Sequence, residues 1–250
     1  MKINLYKLTG IISLTMLLAT AVGCGSDASA TVHNTPAVMN EASNNVYTRS
    51  ETVTTFEEAK KLLVEGNQRY ISGNVLNDDL SNTKREELVS KGQHPFATIV
   101  SCSDSRVPPE IIFDQALGDI FVIRNAGNVI DPVTLGSIEY GAEHLHTPVI
   151  VVLGHENCGA VKATVDGGGK AEGNIENIVE KINKSLEKVK SSGVSGDKLY
   201  GECENENIDN SINEIKNSAV IKELEEEKKV VVVGAKYDIN TGEVTFSPVE

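Results

Sequence analysis

The sequence lacks tryptophan altogether, and its aromatic content is only 4%, which is too low for a stacking platform that binds single-stranded nucleic acid or sugars. Basic residues number 23 against 36 acidic ones, and the resulting net charge of −13 argues against a nucleic-acid partner. Four cysteines are too few for a disulfide scaffold, and the absence of any apolar run of about twenty residues excludes a multi-span membrane protein. The 250 residues are 40% hydrophobic and 24% charged, as in an ordinary soluble globular chain of one or two domains.

The amino-terminal segment has the pattern of an export signal. Lys2 and Lys7 form a basic start, and residues 8–23 are uncharged with an apolar centre, which is typical of a secretory signal peptide. The segment ends in Ala21-Val22-Gly23-Cys24, which resembles the lipobox of bacterial lipoproteins, whose cysteine is lipidated and becomes the mature amino terminus. We therefore predict a signal peptide over residues 1–23 and a lipid anchor on Cys24. A plain secreted signal or a retained single anchor is the alternative.

Residues 24–50 are rich in Ser, Ala, Thr and Asn and show little periodicity, so they cannot bury a core and are predicted to form a flexible tether. Acyl chains on Cys24 would hold the protein at the membrane, and the tether would let the following domain stand away from it. The predicted catalytic domain covers residues 51–250. The predicted location is the outer side of the cytoplasmic membrane, as a bacterial lipoprotein or a secreted protein.

Apolar segments alternate with helical patterns through the predicted domain. Strands are predicted over residues 95–101, 119–124, 148–154 and 229–235, with a short strand at 243–246 pairing with the last. Helices are predicted over residues 55–72, 83–90, 131–146, 175–189 and 207–227. Strands that are apolar throughout and alternate with helices imply an α/β fold, with a mainly parallel β-sheet covered by helices on both faces.

Three metal-binding residue types lie where two predicted strands end. Cys102 ends one strand, and His155 and Cys158 follow another, at the edge where sites in parallel sheets form. Two thiolates and an imidazole suit Zn²⁺, and three protein ligands leave the fourth tetrahedral position open, as in catalytic zinc sites. The spacing alone also allows a disulfide between Cys102 and Cys158, which would be reasonable in an exported protein.

The residues around these three positions resemble the β-class carbonic anhydrase family. Two motifs carry the resemblance, Cys102-Ser103-Asp104-Ser105-Arg106 and Gly154-His155-Glu156-Asn157-Cys158-Gly159, and residues 119–127 also match. The resemblance runs from Gln93 to Cys158 and resumes over residues 230–238, so it covers most of the predicted domain. It implies a parallel-sheet α/β fold, a homodimer or higher homo-oligomer, and reversible hydration of carbon dioxide to bicarbonate and a proton by attack of zinc-bound hydroxide.

The resemblance also implies the metal ligands. Cys102, His155 and Cys158 match the zinc ligands of the family, so one Zn²⁺ per chain is expected. In some members the aspartate that matches Asp104 becomes a fourth zinc ligand and closes the site. Asp104 is therefore either a ligand in a closed state or a neighbour of the metal in an open one.

Three further residues match the family's catalytic positions. Asp104 and Arg106 match its dyad, and Gln93 falls where many members carry a glutamine that orients the substrate. Asp104 is expected to accept a hydrogen bond from the nucleophile, Arg106 to hold Asp104 off the metal, and the Gln93 amide to donate to a substrate oxygen.

Two other functions are compatible with the same residues. One is a hydrolase of a carbon dioxide analogue on the same fold, and the other is a zinc-binding lipoprotein without turnover. Asp104, Arg106 and Gln93 favour turnover, because a metal store needs none of them. The remaining cysteine of the predicted domain, Cys203, lies in the acidic stretch Gly201-Glu202-Cys203-Glu204 and is expected to be a free, exposed thiol.

Overall fold

The computed structural model describes Tyr47, Arg49 and residues 52–249. The predicted signal peptide over residues 1–23, the predicted lipidation site Cys24 and the other residues of the 24–50 segment lie outside this described part. Within it, no helix is both long enough and apolar enough to span a membrane.

Five strands form the central sheet. They are β1 (Ala97–Cys102), β2 (Ile120–Asn125), β3 (Val149–His155), β4 (Val231–Tyr237) and β5 (Val244–Phe246). Their order across the sheet is β2-β1-β3-β4-β5, with the first four parallel and β5 antiparallel to β4. The predicted mainly parallel α/β architecture is therefore confirmed.

The two central strands, β1 and β3, are buried at every position. Successive side chains of a strand point to opposite faces, so each strand feeds two apolar cores. Ile99 and Val151 pack into the core on one face, and Val100 and Val152 pack into the core on the other. This double burial explains why both strands read as continuous apolar runs rather than as an alternating pattern.

In the described part of the chain, eight α-helices surround the sheet. They are α1 (Phe56–Ser72), α2 (Asn82–Lys91), α3 (Pro109–Ile112), α4 (Pro132–Glu139), α5 (Gly159–Asp166), α6 (Ile175–Ser191), α7 (Lys198–Lys216) and α8 (Ala219–Glu226). The predicted ends of α1 are confirmed: the Thr55 hydroxyl accepts a hydrogen bond from the Glu58 amide, and Gly73 ends the helix at a φ of 73°.

Two predicted helices differ from the observed ones. The helix predicted over residues 207–227 is two helices, α7 and α8, because the Ser218 hydroxyl accepts a hydrogen bond from the Ile221 amide and begins a new helix. The helix predicted over residues 131–146 consists of α4 and a π-helical turn, in which the Leu145 amide donates to the Tyr140 carbonyl.

Two residues of the predicted tether pack against the domain. The Tyr47 amide donates to the Asn77 carbonyl at 2.9 Å. The Arg49 side chain donates to the His94 carbonyl at 2.7 Å and lies 3.4 Å from the Asp119 carboxylate. These contacts join residues far apart in the sequence, so Tyr47 and Arg49 lie against the domain, while the flexible tether over residues 24–50 stays a prediction.

Candidate metal centre

The three predicted ligand residues meet at the carboxyl edge of the sheet. Cys102 is the last residue of β1, His155 is the last residue of β3, and Cys158 immediately precedes α5. β1 and β3 are parallel neighbours, so their carboxyl ends lie side by side. The two sulfur atoms and a ring nitrogen lie within 4.8 Å of one another, and all three residues are buried. Both cysteines are free thiols in the described chain, which favours a metal over the alternative disulfide.

The hydrogen bonding of His155 leaves one ring nitrogen for a metal. Nδ1 lies 2.8 Å from the Glu156 carbonyl, and a carbonyl only accepts, so Nδ1 must donate and Nε2 keeps its lone pair. Nε2 is buried and has no hydrogen-bond partner among the described residues. An unpaired buried acceptor is costly, and coordination to a cation would satisfy it.

The donor set fits zinc. Tetrahedral Zn²⁺ binds cysteine sulfur at about 2.3 Å and histidine nitrogen at about 2.0 Å, which places the donor atoms roughly 4 Å apart. The observed spacing within 4.8 Å is compatible with that geometry. The three protein donors would leave one tetrahedral position free, as expected for a catalytic site.

The two thiols have unequal affinities for a proton. Hydrogen bonds from the Cys158 thiol and the Gly127 amide to the Cys102 sulfur, together with the adjacent His155 ring, lower the pKa of Cys102. The same bond to Cys102, together with burial, raises the pKa of Cys158. The pair therefore shares a proton, and binding of a cation by both sulfurs releases it.

Asp104 and Arg106 form a tight ion pair beside this group. The Arg106 backbone N–H and Nε donate to Oδ1, each at 2.9 Å, and Nη2 donates to Oδ2 at 2.7 Å. These bonds lower the pKa of Asp104 to about 2. Arg106 also donates to the Asn157 carbonyl at 3.3 Å and so links the loops that follow β1 and β3. Among the described residues, the donor group comprises the two cysteines and the histidine without Asp104.

Arg124 fixes the loop that carries the aspartate. Its Nε donates to the Cys102 carbonyl at 3.0 Å, and its Nη2 donates to the Asp104 carbonyl at 2.7 Å. Arg124 lies within the family-like stretch 119–127, but its neighbours in the sequence indicate no role for it. The structure identifies it as a support for the backbone of the site.

Gln93 does not join this group within one chain. It is exposed and precedes the amino end of β1, whereas Cys102 ends the same strand. A six-residue strand spans roughly 16 Å between its first and last residues. The length of β1 therefore separates Gln93 from the metal-binding residues of its own chain, and its expected hydrogen bond to a substrate oxygen stays a prediction.

Cys203 is not the exposed thiol that the sequence predicted. It lies on α7 with 0% of its surface exposed and packs in the apolar cluster that contains Cys102 and Cys158. Burial, reinforced by the neighbouring Glu204 carboxylate, raises the pKa of Cys203 to about 11. The physical reason is that α7 begins at Lys198, so Cys203 occupies the buried face of a helix rather than a loop.

Comparison with known proteins supports the resemblance read from the sequence. A family model described as carbonic anhydrase matches residues 97–244. A carbonic anhydrase of Mycolicibacterium smegmatis is 38% identical over 191 residues, which cover 74% of this chain and 90% of that protein. A tetrameric β-carbonic anhydrase of Sordaria macrospora is similar in structure, with a TM-score of 0.61 and 26% identity over 66% of this chain and 86% of that one. A Coccomyxa β-carbonic anhydrase, solved with acetazolamide, has the same TM-score of 0.61 and 26% identity over 74% of this chain and 84% of that one.

Proposed function

Because this chain belongs to the β-class carbonic anhydrase family, we propose that Cys102, His155 and Cys158 hold the zinc ion with which it hydrates carbon dioxide reversibly. Membership of the family indicates the activity and the metal, and the geometry of the site indicates which residues would bind that metal. The observation that carries the assignment is the buried group of two sulfur atoms and the unpartnered Nε2 of His155, all at one edge of the sheet.

A zinc ion held by these three residues would supply the nucleophile, because it lowers the pKa of a bound water molecule from about 15.7 toward about 7. Asp104 would accept a hydrogen bond from the O–H group of that attacking oxygen. Its pKa of about 2 keeps it ionised and therefore acceptor-only. Oδ1 already accepts two hydrogen bonds from Arg106 whereas Oδ2 accepts one, so Oδ2 retains room for a further donor. A hydrogen bond to Oδ2 would turn a lone pair of the attacking oxygen toward the carbon of the substrate.

Arg106 keeps Asp104 in that acceptor role. A carboxylate oxygen is itself an acceptable zinc ligand, so an unrestrained Asp104 would compete for the open position. The bidentate guanidinium pair holds both oxygens in a fixed direction, and the bond to the Asn157 carbonyl fixes the guanidinium in turn. Arg106 is thus a positioning residue that acts through Asp104.

The ligand assignment is tested by removing each donor. Cys102→Ala, His155→Ala and Cys158→Ala should each lose zinc and the stopped-flow hydration of carbon dioxide, because two protein donors hold zinc much more weakly than three. Stoichiometric zinc in any two of the purified variants would contradict the assignment. Full zinc without hydration in the unmodified protein would point instead to a zinc-binding protein without turnover.

We propose that the Gln93 amide donates to a substrate oxygen in the metal site of another subunit. It is exposed and lies at the amino end of β1, so only a second copy could bring it to a metal centre. The tetrameric Sordaria enzyme supports a homo-oligomer. Co-expression of Gln93→Ala with Cys158→Ala tests the idea. Mixed oligomers should recover activity, because the intact metal site of one subunit meets the intact Gln93 of the other. No recovery in isolated mixed oligomers would exclude action between subunits.

The protein is further proposed to be an exported lipoprotein anchored through Cys24. The basic start, the uncharged stretch over residues 8–23 and the lipobox-like Ala21-Val22-Gly23 support this location outside the cytoplasmic membrane. Wild-type protein should fractionate with membranes, and Cys24→Ser should be released or keep its uncleaved signal. Identical fractionation and identical mass of the two proteins would rule out lipidation.

A further inference from the structure

Helix α7 presents a line of buried polar side chains toward the metal centre. Glu204, Asn207 and Ser211 are spaced three and four residues apart, so they share one face of the helix. Their exposed fractions are only 6%, 2% and 2%. The buried face of an amphipathic helix is normally apolar, and a buried polar group is stable only when it is hydrogen-bonded. The hydrogen-bond partners of these three side chains therefore indicate their role.

All three side chains bond to the backbone of segments that carry or contact the thiol ligands. The Glu204 carboxylate accepts from the Cys158 amide at 3.2 Å. The Asn207 amide donates to the Gly127 carbonyl at 2.8 Å, and the Ser211 hydroxyl donates to the next carbonyl, that of Asn128, at 3.0 Å. One helix thus holds two separate loops.

Asn207 is linked to the other sulfur through a single residue, Gly127. The Gly127 amide donates to the Cys102 sulfur at 3.3 Å, and the Gly127 carbonyl is the acceptor for Asn207. Gly127 adopts a φ of 75°, which a residue with a side chain rarely adopts. Asn207 therefore fixes a glycine whose amide points at one thiolate, while Glu204 fixes the backbone of the other.

The charge of Glu204 is balanced inside the fold. Lys236 on β4 lies 3.0 Å from its second oxygen and also donates to the Asn205 side chain at 2.8 Å. Lys236 pairs in the sheet with Gly154, the residue before His155. Each cysteine ligand therefore has a carboxylate paired with a cation close to it: Asp104 with Arg106 follows Cys102, and Glu204 with Lys236 contacts the backbone of Cys158.

Close packing leaves α7 little freedom to move relative to the site. A Cβ atom added to Gly154 would lie only 2.5 Å from Cδ1 of Ile208, a neighbour of Asn207 on α7. The helix thus lies against the strand that supplies the histidine ligand. A displacement of the helix would be transmitted to the strand, because Ile208 packs directly on Gly154 and packed interiors are nearly incompressible.

We propose that Glu204 and Asn207 are positioning residues that set the separation of the Cys102 and Cys158 sulfurs, and hence how tightly zinc is held, although neither residue binds the metal. This rests on the proposed function, because it takes the two cysteines as zinc ligands. Outer hydrogen bonds to metal ligands typically change metal affinity by about 10- to 100-fold when removed.

Zinc release to excess EDTA, followed in the intact protein with a zinc-sensitive dye, tests the proposal. Glu204→Ala and Asn207→Ala should release zinc about 10- to 100-fold faster than wild type. Glu204→Gln should show a smaller increase, since its amide oxygen still accepts from the Cys158 amide. Glu202→Gln and Asn213→Ala are matched controls on exposed positions of the same helix and should release zinc at the wild-type rate.

A second measurement separates positioning from a general loss of stability. The melting temperature of each variant is compared with and without zinc, because a ligand that binds only the folded state raises it according to its affinity. If Glu204 and Asn207 position the ligands, zinc should raise the melting temperature of Glu204→Ala and Asn207→Ala by less than it raises that of wild type. A variant that lowers both temperatures equally and releases zinc at the wild-type rate would show a structural role alone and overturn the proposal.

Cys158→Ser distinguishes the failure of this proposal from failure of the ligand assignment. If Cys158→Ser keeps stoichiometric, slowly released zinc, the assignment itself is wrong. If Cys158→Ser loses zinc while Glu204→Ala and Asn207→Ala release it at the wild-type rate, the assignment stands and the role of α7 is refuted.

Discussion

Both carboxylate oxygens of Asp104 accept hydrogen bonds from Arg106, at donor–acceptor distances of 2.7–2.9 Å. The backbone amide of Arg106 takes part, so the pair is built into the turn after β1 and does not depend on the side chain alone. The geometry keeps the aspartate ionised and directed, beside the metal-binding donors and outside their group. A carboxylate held in this way can orient a nucleophile without occupying the metal.

Asp104→Asn should keep its zinc and lose much of its hydration rate. The asparagine offers one acceptor oxygen in place of two, and its NH₂ group faces the donors of Arg106. The zinc donors Cys102, His155 and Cys158 are unchanged. We expect kcat to fall by about 10- to 100-fold at stoichiometric zinc, measured by metal analysis and stopped-flow hydration.

Glu110→Gln is the matched control for that variant. Glu110 is an exposed acid on α3, close in the chain to Asp104, and its change removes the same charge. It should hydrate carbon dioxide at the wild-type rate. Normal turnover by Asp104→Asn would show that the aspartate has no catalytic part.

The sheet and the metal donors could be predicted because local patterns specify them. The apolar runs of β1 and β3 locate two buried strands, and the positions of Cys102 and His155 at their ends place both at one sheet edge. The distance of Gln93 from the metal donors of its own chain could not be predicted, because a motif gives separation along the chain and not direction in space. The strand between Gln93 and Cys102 carries them to opposite edges of the sheet.

The role of α7 could not be predicted because its contacts are long-range and end on backbone atoms. Nothing near Glu204 in the sequence marks the Cys158 amide as its partner, and the same holds for Asn207 and the Gly127 carbonyl. The sequence does contain one local signal. The polar residues Glu204, Asn207 and Ser211 recur at helical spacing, in a stretch where Ile208, Ile212 and Ile215 also follow helical spacing. An acidic stretch of this kind looks solvent-exposed unless the start of the helix is known.

Cys203→Ala should keep zinc and activity. Cys203 shares an apolar cluster with Cys102 and Cys158, but in the described chain it is not one of the three grouped donors. Loss of one buried sulfur should lower the free energy of unfolding by about 1 kcal/mol. Metal analysis and urea unfolding, with Cys158→Ala as the zinc-losing comparison, measure both effects. Loss of zinc from Cys203→Ala would make Cys203 part of the metal centre.

Gly66→Ala should destabilise the protein, whereas Gly136→Ala should not. A Cβ atom at Gly66 on α1 would lie 1.7 Å from the Phe113 carbonyl oxygen, so the helix would have to move, at a cost of about 1–3 kcal/mol. At Gly136 on α4 the added Cβ would meet no described atom within 4 Å beyond its chain neighbours and the nearby backbone of its own helix, and the better helix propensity of alanine should add about 0.5–1 kcal/mol. Urea unfolding should give changes of opposite sign; equal changes would contradict the close approach of α1 to Phe113.

Arg49→Gln should destabilise the protein more at pH 8 than at pH 5. Burial raises the pKa of Asp119, and the Arg49 guanidinium, 3.4 Å away, opposes that rise. Without the guanidinium the folded pKa of Asp119 rises further, while the unfolded value stays near about 3.9. Between those two values the folded state binds more protons than the unfolded state, so stability falls as pH rises. Arg49→Gln should therefore lose more stability at pH 8, where Asp119 must ionise in the folded protein, than at pH 5.

Urea unfolding of wild type and Arg49→Gln at the two pH values measures this difference. Arg85→Gln is the matched control, because Arg85 is exposed and its guanidinium bonds locally, to Leu80 and Asn82. Its effect should be small and the same at both pH values. A loss for Arg49→Gln that is equal at pH 5 and pH 8 would mean that Arg49 acts through its packing on the Phe96 ring, 5.0 Å away, rather than through its charge. A loss that grows with pH would identify the buried pair with Asp119 as the contact that fastens this part of the predicted tether to the domain.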